Sequence, residues 1–586
     1  VAAPPTVRGR LARGAAAALA GLALAVQGCA APTGAASGPA DDDAPPGAFR
    51  VRADVSAPLD ADAGWAGAQD EAVTVVADRP FRIRFEAVPD AADPLRLQVR
   101  RNGGAWEPVG AHDFPYPETA TPRVSVVSTT AYDDGAATAD LLDGSALPFG
   151  GGAGVDLAAT SGTGVPPGTH GEWEWPVVVR RYADGPVANE AGDTFAFRLV
   201  DGAGRAVSAE AAVTLDVPPG HLGGTFVETP GRLGPWQAPN GDLYVVMEPT
   251  ETDNVMMVVK SEDGGAGWRE ADGAGRPLAD DLEGVGTAMR DGTLHVLHQT
   301  SDAVWYHAFR TSEYAAAPDT WALTDELVAE PGEPPTQVAA LAARPDGSLV
   351  AVYGAPDGLR LRVRSPDGAW GPETAVDPGA DAVASGPQAE PGPDGVVHLA
   401  YTDDAGAAWH RLVRPDGSLT PRQRLASDVG TTEYDNGAVL PIAVDPGTGA
   451  ATVVYRRADG RLYARRVSAD GALGEPARVS DRRVVQNAVD SDQTGADAVA
   501  LDGRAHVLLV EDGTGHLYHA ATDAAGAWCP ETLVADDLRA QWVRGLPVGR
   551  PDGSRVYGYV VDAGSDGGAG KNRYGVVDVG NSPGCP

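Results

Sequence analysis

Three polar segments carry side chains suited to a ligand rich in hydroxyl groups. They are Glu433-Tyr434-Asp435-Asn436, residues 482–493 (RRVVQNAVDSDQ) and residues 539–544 (RAQWVR). Planar polar groups hydrogen-bond pairs of hydroxyls, and aromatic rings stack on the C–H face of a sugar. Tyr434, Asp435, Arg483, Gln486, Asp490, Trp542 and Arg544 are therefore the candidate ligand-binding residues, with Trp236 as a further aromatic surface. Taken singly, each is also what an ordinary solvated loop contains. Asp490 and Asp492 offer oxygen ligands of the kind Ca²⁺ takes. That structural ion is the one cofactor the sequence leaves open, and no other metal site is expected. His295, His298 and His307 bring acid/base groups, but an odd offset puts His295 and His298 on opposite strand faces. His307 and His519 sit at similar places in their repeats, which points to packing. No phosphate loop, nucleotide fingerprint, GxSxG elbow or HExxH occurs.

The elements that must hold these residues are strands. A turn ending in Gly recurs at Gly241, Gly292, Gly347, Gly395, Gly449, Gly503 and Gly553. The interval is about 50 residues, the length of one sheet-sized repeat. Apolar strands follow each turn, among them LYVVM, LHVLH, LVAVY and ATVVY, and a second strand and an outer hairpin such as SPDGAWGPETAV or TDAAGAWCPETLV come after. Seven anchors imply seven four-stranded blades over 221–586, with six as the alternative count. The last unit has room for three strands, and residues 222–228 (LGGTFVE) can supply the fourth and close the ring. Ahead of the repeats, 48–218 shows period-two alternation (FRIRF, LRLQV, WPVVV, FAFRL) and reads as half-buried antiparallel strands of an Ig- or fibronectin-like β-sandwich. The Gly-rich stretch 133–168 reads as an extended insertion. Trp106, Trp173 and Trp175 suit a sugar platform or, more simply, the sandwich core. The chain is thus expected to be all-β.

Ser261-Glu262-Asp263-Gly264-Gly265-Ala266-Gly267-Trp268 fits Ser-x-Asp-x-Gly-x-x-Trp and resembles the Asp box of the sialidase-like, BNR-repeat β-propellers. Physically, Asp263 accepts backbone N–H groups in a tight turn, Gly265 supplies the turn, Ser261 supports it and Trp268 packs on the blade. The resemblance makes this a folding device on the face away from the site, and it places the polar segments above on the functional face. Arg232-Leu233-Gly234-Pro235 resembles the sialidase Arg-Ile-Pro motif with Gly234 inserted. The family implies that Arg232 clamps a substrate carboxylate, that Glu248 supports it and that Asp253 is the general acid. Thr250 stands where the family places another Arg. The expected function is binding of a glycan or glycoprotein at the central face, with a sialidase-like glycoside hydrolase, or less readily a polysaccharide lyase, as the alternative.

Residues 1–29 carry Arg8, Arg10 and Arg13, then a short apolar run ending in Val26-Gln27-Gly28-Cys29. This resembles a bacterial lipobox, which implies an exported lipoprotein anchored to the cell envelope through Cys29 alone, because the run is too short to span a bilayer. Residues 30–47 are Pro/Gly-rich and polar, a flexible tether. The net charge of −36 opposes nucleic acid and anionic membrane surfaces, and a monomer is expected. With Cys29 lipidated, Cys529 and Cys585 remain in an oxidising compartment and are expected to pair. Thiol labelling of the intact, non-reduced protein should find neither reactive, and two labelled cysteines would remove the pairing.

Overall fold

The computed structural model of the chain describes residues 47–581 apart from 54–56, 90–93, 112–122, 163, 182–188, 224–230, 248–254, 273–274, 279–283, 312–318, 333–337, 378–385, 404, 430–438, 487–493, 537–539, 541 and 563–571. The chain forms two compact units, Val1–Ala44 and Pro45–Pro586, and the described residues belong to the second. Apart from single-turn helical pieces they are strand, turn and loop.

Two sheets come first. One follows the order Phe49–Arg52, Phe81–Ala87, His170–Val179, Val124–Val126, Gly110–Ala111, with Phe149–Gly154 also on His170–Val179. The other runs Val73–Val76, Ala211–Asp216, Thr194–Val200, Arg96–Arg101, Glu107–Pro108. Ile83, Phe85, Trp173 and Trp175 of the first meet Leu97, Phe195 and Phe197 of the second in one core. Trp173 and Trp175 are fully buried, so they pack rather than bind, and Trp106 lies under the guanidinium groups of Arg100 and Arg198. Two sequence expectations change. Three pairings are parallel rather than antiparallel. Phe81–Ala87 and His170–Val179 are also buried on both faces, not half-buried. Their charged face is covered by segments 57–63 and 138–145, whose backbone groups bond Arg52, Arg82, Arg84, Glu86 and Glu172. The stretch read as an insertion therefore supplies a strand and a cover.

Among the described residues, seven small antiparallel sheets follow in chain order, six of four strands and a last one of three, each a simple meander. All seven anchor glycines lie between the first and second strands with φ from +70° to +95°, the left-handed region that favours Gly. The first strands are Trp236–Gln237, Val285–Arg290, Ala339–Ala343, Gln388–Pro391, Ile442–Val444, Ala496–Leu501 and Val543–Gly549. Each touches the next, and the seventh touches the first, so the sheets form a closed ring. Apolar side chains fill the spaces between successive sheets. The three-stranded sheet gains an edge from the start of the repeats: Leu222 N–H donates to Asn572 O (2.9 Å) and Tyr574 N–H to Gly220 O (2.8 Å). Cys529 is disulfide-bonded, and its expected partner Cys585 lies outside the described residues, as does Cys29.

The Ser261–Trp268 turn has the geometry its residues dictate. Asp263 Oδ1 accepts Gly267 N–H at 2.8 Å and Ser261 Oγ–H at 2.8 Å, Ser261 Oγ accepts Gly265 N–H at 2.8 Å, and Trp268 Nε1–H reaches Gly265 O at 3.0 Å. Trp268 packs against Tyr574 of the seventh sheet, and its carbonyl accepts Arg181 Nη2 at 2.7 Å, joining the two-sheet layer to the ring.

Three buried histidine pairs lie between second and third strands: His298 with His307, His398 with His410 and His506 with His519. His398 Nε2–H donates to Gly449 O, so in the neutral ring its Nδ1 accepts from His410 Nε2–H at 3.0 Å. Burial lowers all six; His298, His410 and His519 fall to about 3, and His307 and His506 to about 4. In the unfolded chain these rings protonate near pH 6.5. Their stabilisation is therefore complete above that pH and is lost as pH falls from about 6.5 toward 4. The melting temperature should drop over this window, and His506→Leu/His519→Leu should make the dependence shallower; an unchanged slope would exclude these rings as its source.

Candidate functional site

Arg232 lies inside the ring and reaches four of the first strands or their neighbours. Its Nη2 is 3.0 Å from Asp497 Oδ1 and its Nε 3.3 Å from Oδ2, a forked pair, while Nη1 meets Glu390 Oε1. Nη2 also donates to the carbonyls of Ile442 and Ala498, and Thr287 Oγ1–H donates to the Arg232 carbonyl. Asp497 is satisfied further by Gly545 N–H at 2.6 Å. That approach requires a glycine, since a Cβ at 545 would sit 2.5 Å from Gly558 O.

Burial pulls the Arg232 guanidinium down, but Asp497 and Glu390 more than offset it and hold it firmly charged. Burial raises the Glu390 carboxyl against the pull of Arg232, and Asp497 adds to the rise. Burial and Asp497 together raise the Tyr557 phenol well above its usual range. Arg544 is lowered to about 10 by burial, with Asp497 opposing and Arg232 reinforcing. A cavity of about 90 Å³ opens beside this cluster, lined by Arg232, Trp236, Thr287, Gln388 and Glu390 among small residues. Glu390 remains 26 % accessible and so faces it.

The sequence-expected residues are only partly gathered. Arg232 and Trp236 share the cavity, with Trp236 Nε1–H on Thr287 Oγ1 at 2.7 Å, and Arg544 is buried beside Asp497. Trp542 is 3 % exposed and belongs to the apolar core between the seventh and first sheets. Arg483 ends the outer strand Ala477–Arg483 of the fifth sheet, facing Asp512 at 3.5 Å, and Gln486 accepts Arg456 Nη1 at 2.8 Å. The segment read as one long polar loop therefore begins as an edge strand. Glu248, Asp253, Tyr434, Asp435 and Asp490 lie outside the described residues. Sequence reasoning passed over Asp497, Glu390 and Tyr557, although a lone acid inside the apolar strand ADAVAL marks a charge in need of a partner.

A second cavity, of about 170 Å³, lies between the fifth and sixth sheets. Arginine staples recur between the neighbouring sheets. Arg362 donates from Nε to Gly371 O (2.7 Å) and from Nη1 to Val328 O of the preceding sheet, and Arg411 does the same to Thr420 O (2.7 Å) and Val376 O. Arg465 reaches Arg424 O of the preceding sheet at 3.1 Å. Each arginine precedes the residue whose carbonyl closes the outer hairpin; in the sixth sheet that carbonyl is Ala521 O and the preceding residue is Ala520. In the sixth sheet a buried alanine, packed among apolar side chains of the fifth and sixth sheets, stands where the others carry the arginine. Trp528, Arg466, Glu475, Asp445 and Asp523 line the opening. The Gly526 turn lies against Arg466, and a Cβ there would be 2.6 Å from Nη1.

No family model matches the chain. No curated protein matches it either. Among solved structures, the BP39L lectin from Burkholderia pseudomallei is similar at 14 % identity and TM-score 0.40, over 58 % of this chain and 96 % of the lectin. The SapL1 lectin in complex with α-methyl fucoside matches at 14 % identity and TM-score 0.33, over 50 % and 94 %. The Aleuria aurantia lectin, a six-bladed β-propeller, matches at 13 % identity and TM-score 0.34, over 51 % and 92 %.

Removing Arg232 strands the buried Asp497 carboxylate and the half-buried Glu390. Arg232→Met should lower the unfolding free energy by about 3–5 kcal/mol, and Arg232→Lys should recover only part, since an ammonium cannot fork. Denaturant melts decide this, and a loss under about 1 kcal/mol would show that the cluster does not hold the ring.

Proposed function

We propose that residues 221–586 form a seven-bladed β-propeller of the sialidase-like, Asp-box kind behind an Ig-like sandwich, and that the protein binds a glycan or glycoprotein. In this reading it is an exported monomer held to the bacterial envelope through Cys29. The observation that carries the binding function is the cleft between the fifth and sixth sheets. Trp528, Arg466, Glu475 and Asp445 all line it. An indole stacks on a sugar's C–H face while a guanidinium and carboxylates take paired hydroxyls. A cleft of about 170 Å³ suits one sugar ring, whereas drug-sized ligands take roughly 300 Å³ or more. In the ring's own cavity Arg232 is already occupied by Asp497 and Glu390, so a substrate carboxylate would have to displace them. Binding is therefore favoured over sialoside cleavage.

A glycan array followed by calorimetry on the best ligand tests this. Trp528→Ala and Arg466→Ala should each weaken binding at least about tenfold, the effect of losing a buried aromatic or charged contact of 1.4 kcal/mol or more. Binding untouched by both would move the site elsewhere. Sialoside turnover lost in Glu390→Gln would establish a hydrolase at the ring cavity instead.

A further inference from the structure

The charged face of the first sheet holds a set of groups that the glycan reading does not use. Glu86 and Glu172 stand directly opposite one another on neighbouring strands, and both are fully buried. His170, two residues before Glu172 on the same strand, shares that face and is 4 % exposed. Three guanidinium groups, Arg52, Arg82 and Arg84, are spent on Glu174 and Glu172, the latter through Arg84 Nε to Oε2 at 2.6 Å. Glu86 has no arginine partner among these contacts. Its Oε2 accepts Gly144 N–H at 2.9 Å, while Oε1 is buried with no hydrogen-bond partner.

His170 sets the chemistry. Its Nδ1 lies 2.7 Å from Leu147 O, an acceptor only, so Nδ1 carries the proton. In the neutral ring Nε2 then presents a lone pair to Asp140 Oδ1 at 3.1 Å, and two acceptors face each other. Either a second proton on the ring or a metal ion must lie between them. Ligand atoms about 2.1 Å from one metal ion stand roughly 3 to 3.5 Å apart, which matches this spacing. One liganding atom each from Asp140, His170 and Glu172 falls within 4.8 Å of the others, whereas a proton would join only His170 and Asp140. We propose that Asp140, His170 and Glu172 bind a first-row divalent cation of the zinc class, with Glu86 supplying the balancing charge behind it.

The surroundings suit such a site. A ligand imidazole that donates its other N–H to a backbone carbonyl is fixed in tautomer and orientation, and a carboxylate ligand is held by further hydrogen bonds. Leu147 O does the first, and Leu141 and Leu142 N–H, each 2.7 Å from Glu172 Oε1, do the second. Mixed imidazole and carboxylate donors select zinc-like ions over Ca²⁺ or Mg²⁺, which take oxygen throughout. Asp140 is 51 % exposed and gives the ion its way in. Bound there, the ion ties the 138–145 cover to the sheet, independently of any glycan bound to the ring.

The full chain, stripped with chelator and dialysed, is titrated with Zn²⁺ by calorimetry, with metal content read in parallel. One Zn²⁺ per chain is expected, with a rise in melting temperature. His170→Gln should lose the ion, and Asp140→Asn, at an exposed position that folding tolerates, should weaken it at least about tenfold. No uptake, uptake unchanged in both variants, or tighter binding of Ca²⁺ or Mg²⁺ than of Zn²⁺ would overturn the assignment.

Discussion

The ring depends on the pairing of Arg232 with Asp497. Seven sheets that touch along their first strands must fill the space at their centre, and a cation there has little water to solvate it. Burying such a charge costs several kcal/mol unless every donor finds an acceptor. Here the guanidinium fork meets Asp497, its remaining N–H groups meet Glu390 and two backbone carbonyls, and Asp497 passes the contact on to Gly545. One side chain from the first repeat thereby fixes the positions of the fourth, fifth and sixth, and through Asp497 the seventh. Apolar packing between sheets supplies the bulk of the stabilisation, but it is non-directional and would tolerate sliding. The forked ion pair fixes the register.

Away from the centre the same residue type serves another purpose. Third-strand arginines bind their own hairpin to the edge of the preceding sheet, and the buried histidine pairs occupy positions where a cation would be unsatisfied. The spacing of the sheets is thus set repeat by repeat. The sixth sheet departs from this pattern, with the buried Ala520 where the arginine would stand.

Much of this was legible in the chain. The anchor glycines marked every first hairpin because their backbone conformation favours glycine, and Ser261, Asp263 and Trp268 encode their turn by short-range bonds alone. The strands of the first two sheets were visible by alternation, but their double-sided burial was not, because FRIRFEA reads the same whether its arginines face water or a covering segment. The site was least legible. Asp497, Glu390 and Arg232 are far apart in sequence and meet only through ring closure. Trp542, polar-flanked in sequence, is drawn into the core by the contact between the last sheet and the first. Arg483 looked like a loop residue because the bulged pairing of Arg461 with Arg483 breaks the alternation that would have marked a strand.

The seam at Gly220–Leu222 has a mechanical consequence. These residues bond the final strand of the ring, receive support from Ala266 through Gly220 N–H, and include His221, whose Nε2 lies 2.8 Å from Asp78 of the first layer. The two ends of the circular array are therefore clasped at the point where the preceding sheets attach. Tension transmitted along the polypeptide from that side would arrive at the clasp before it reached any other strand. Sharing the load between the backbone bonds there and the Arg181–Trp268 contact would let the assembly behave as one stiff body under pull.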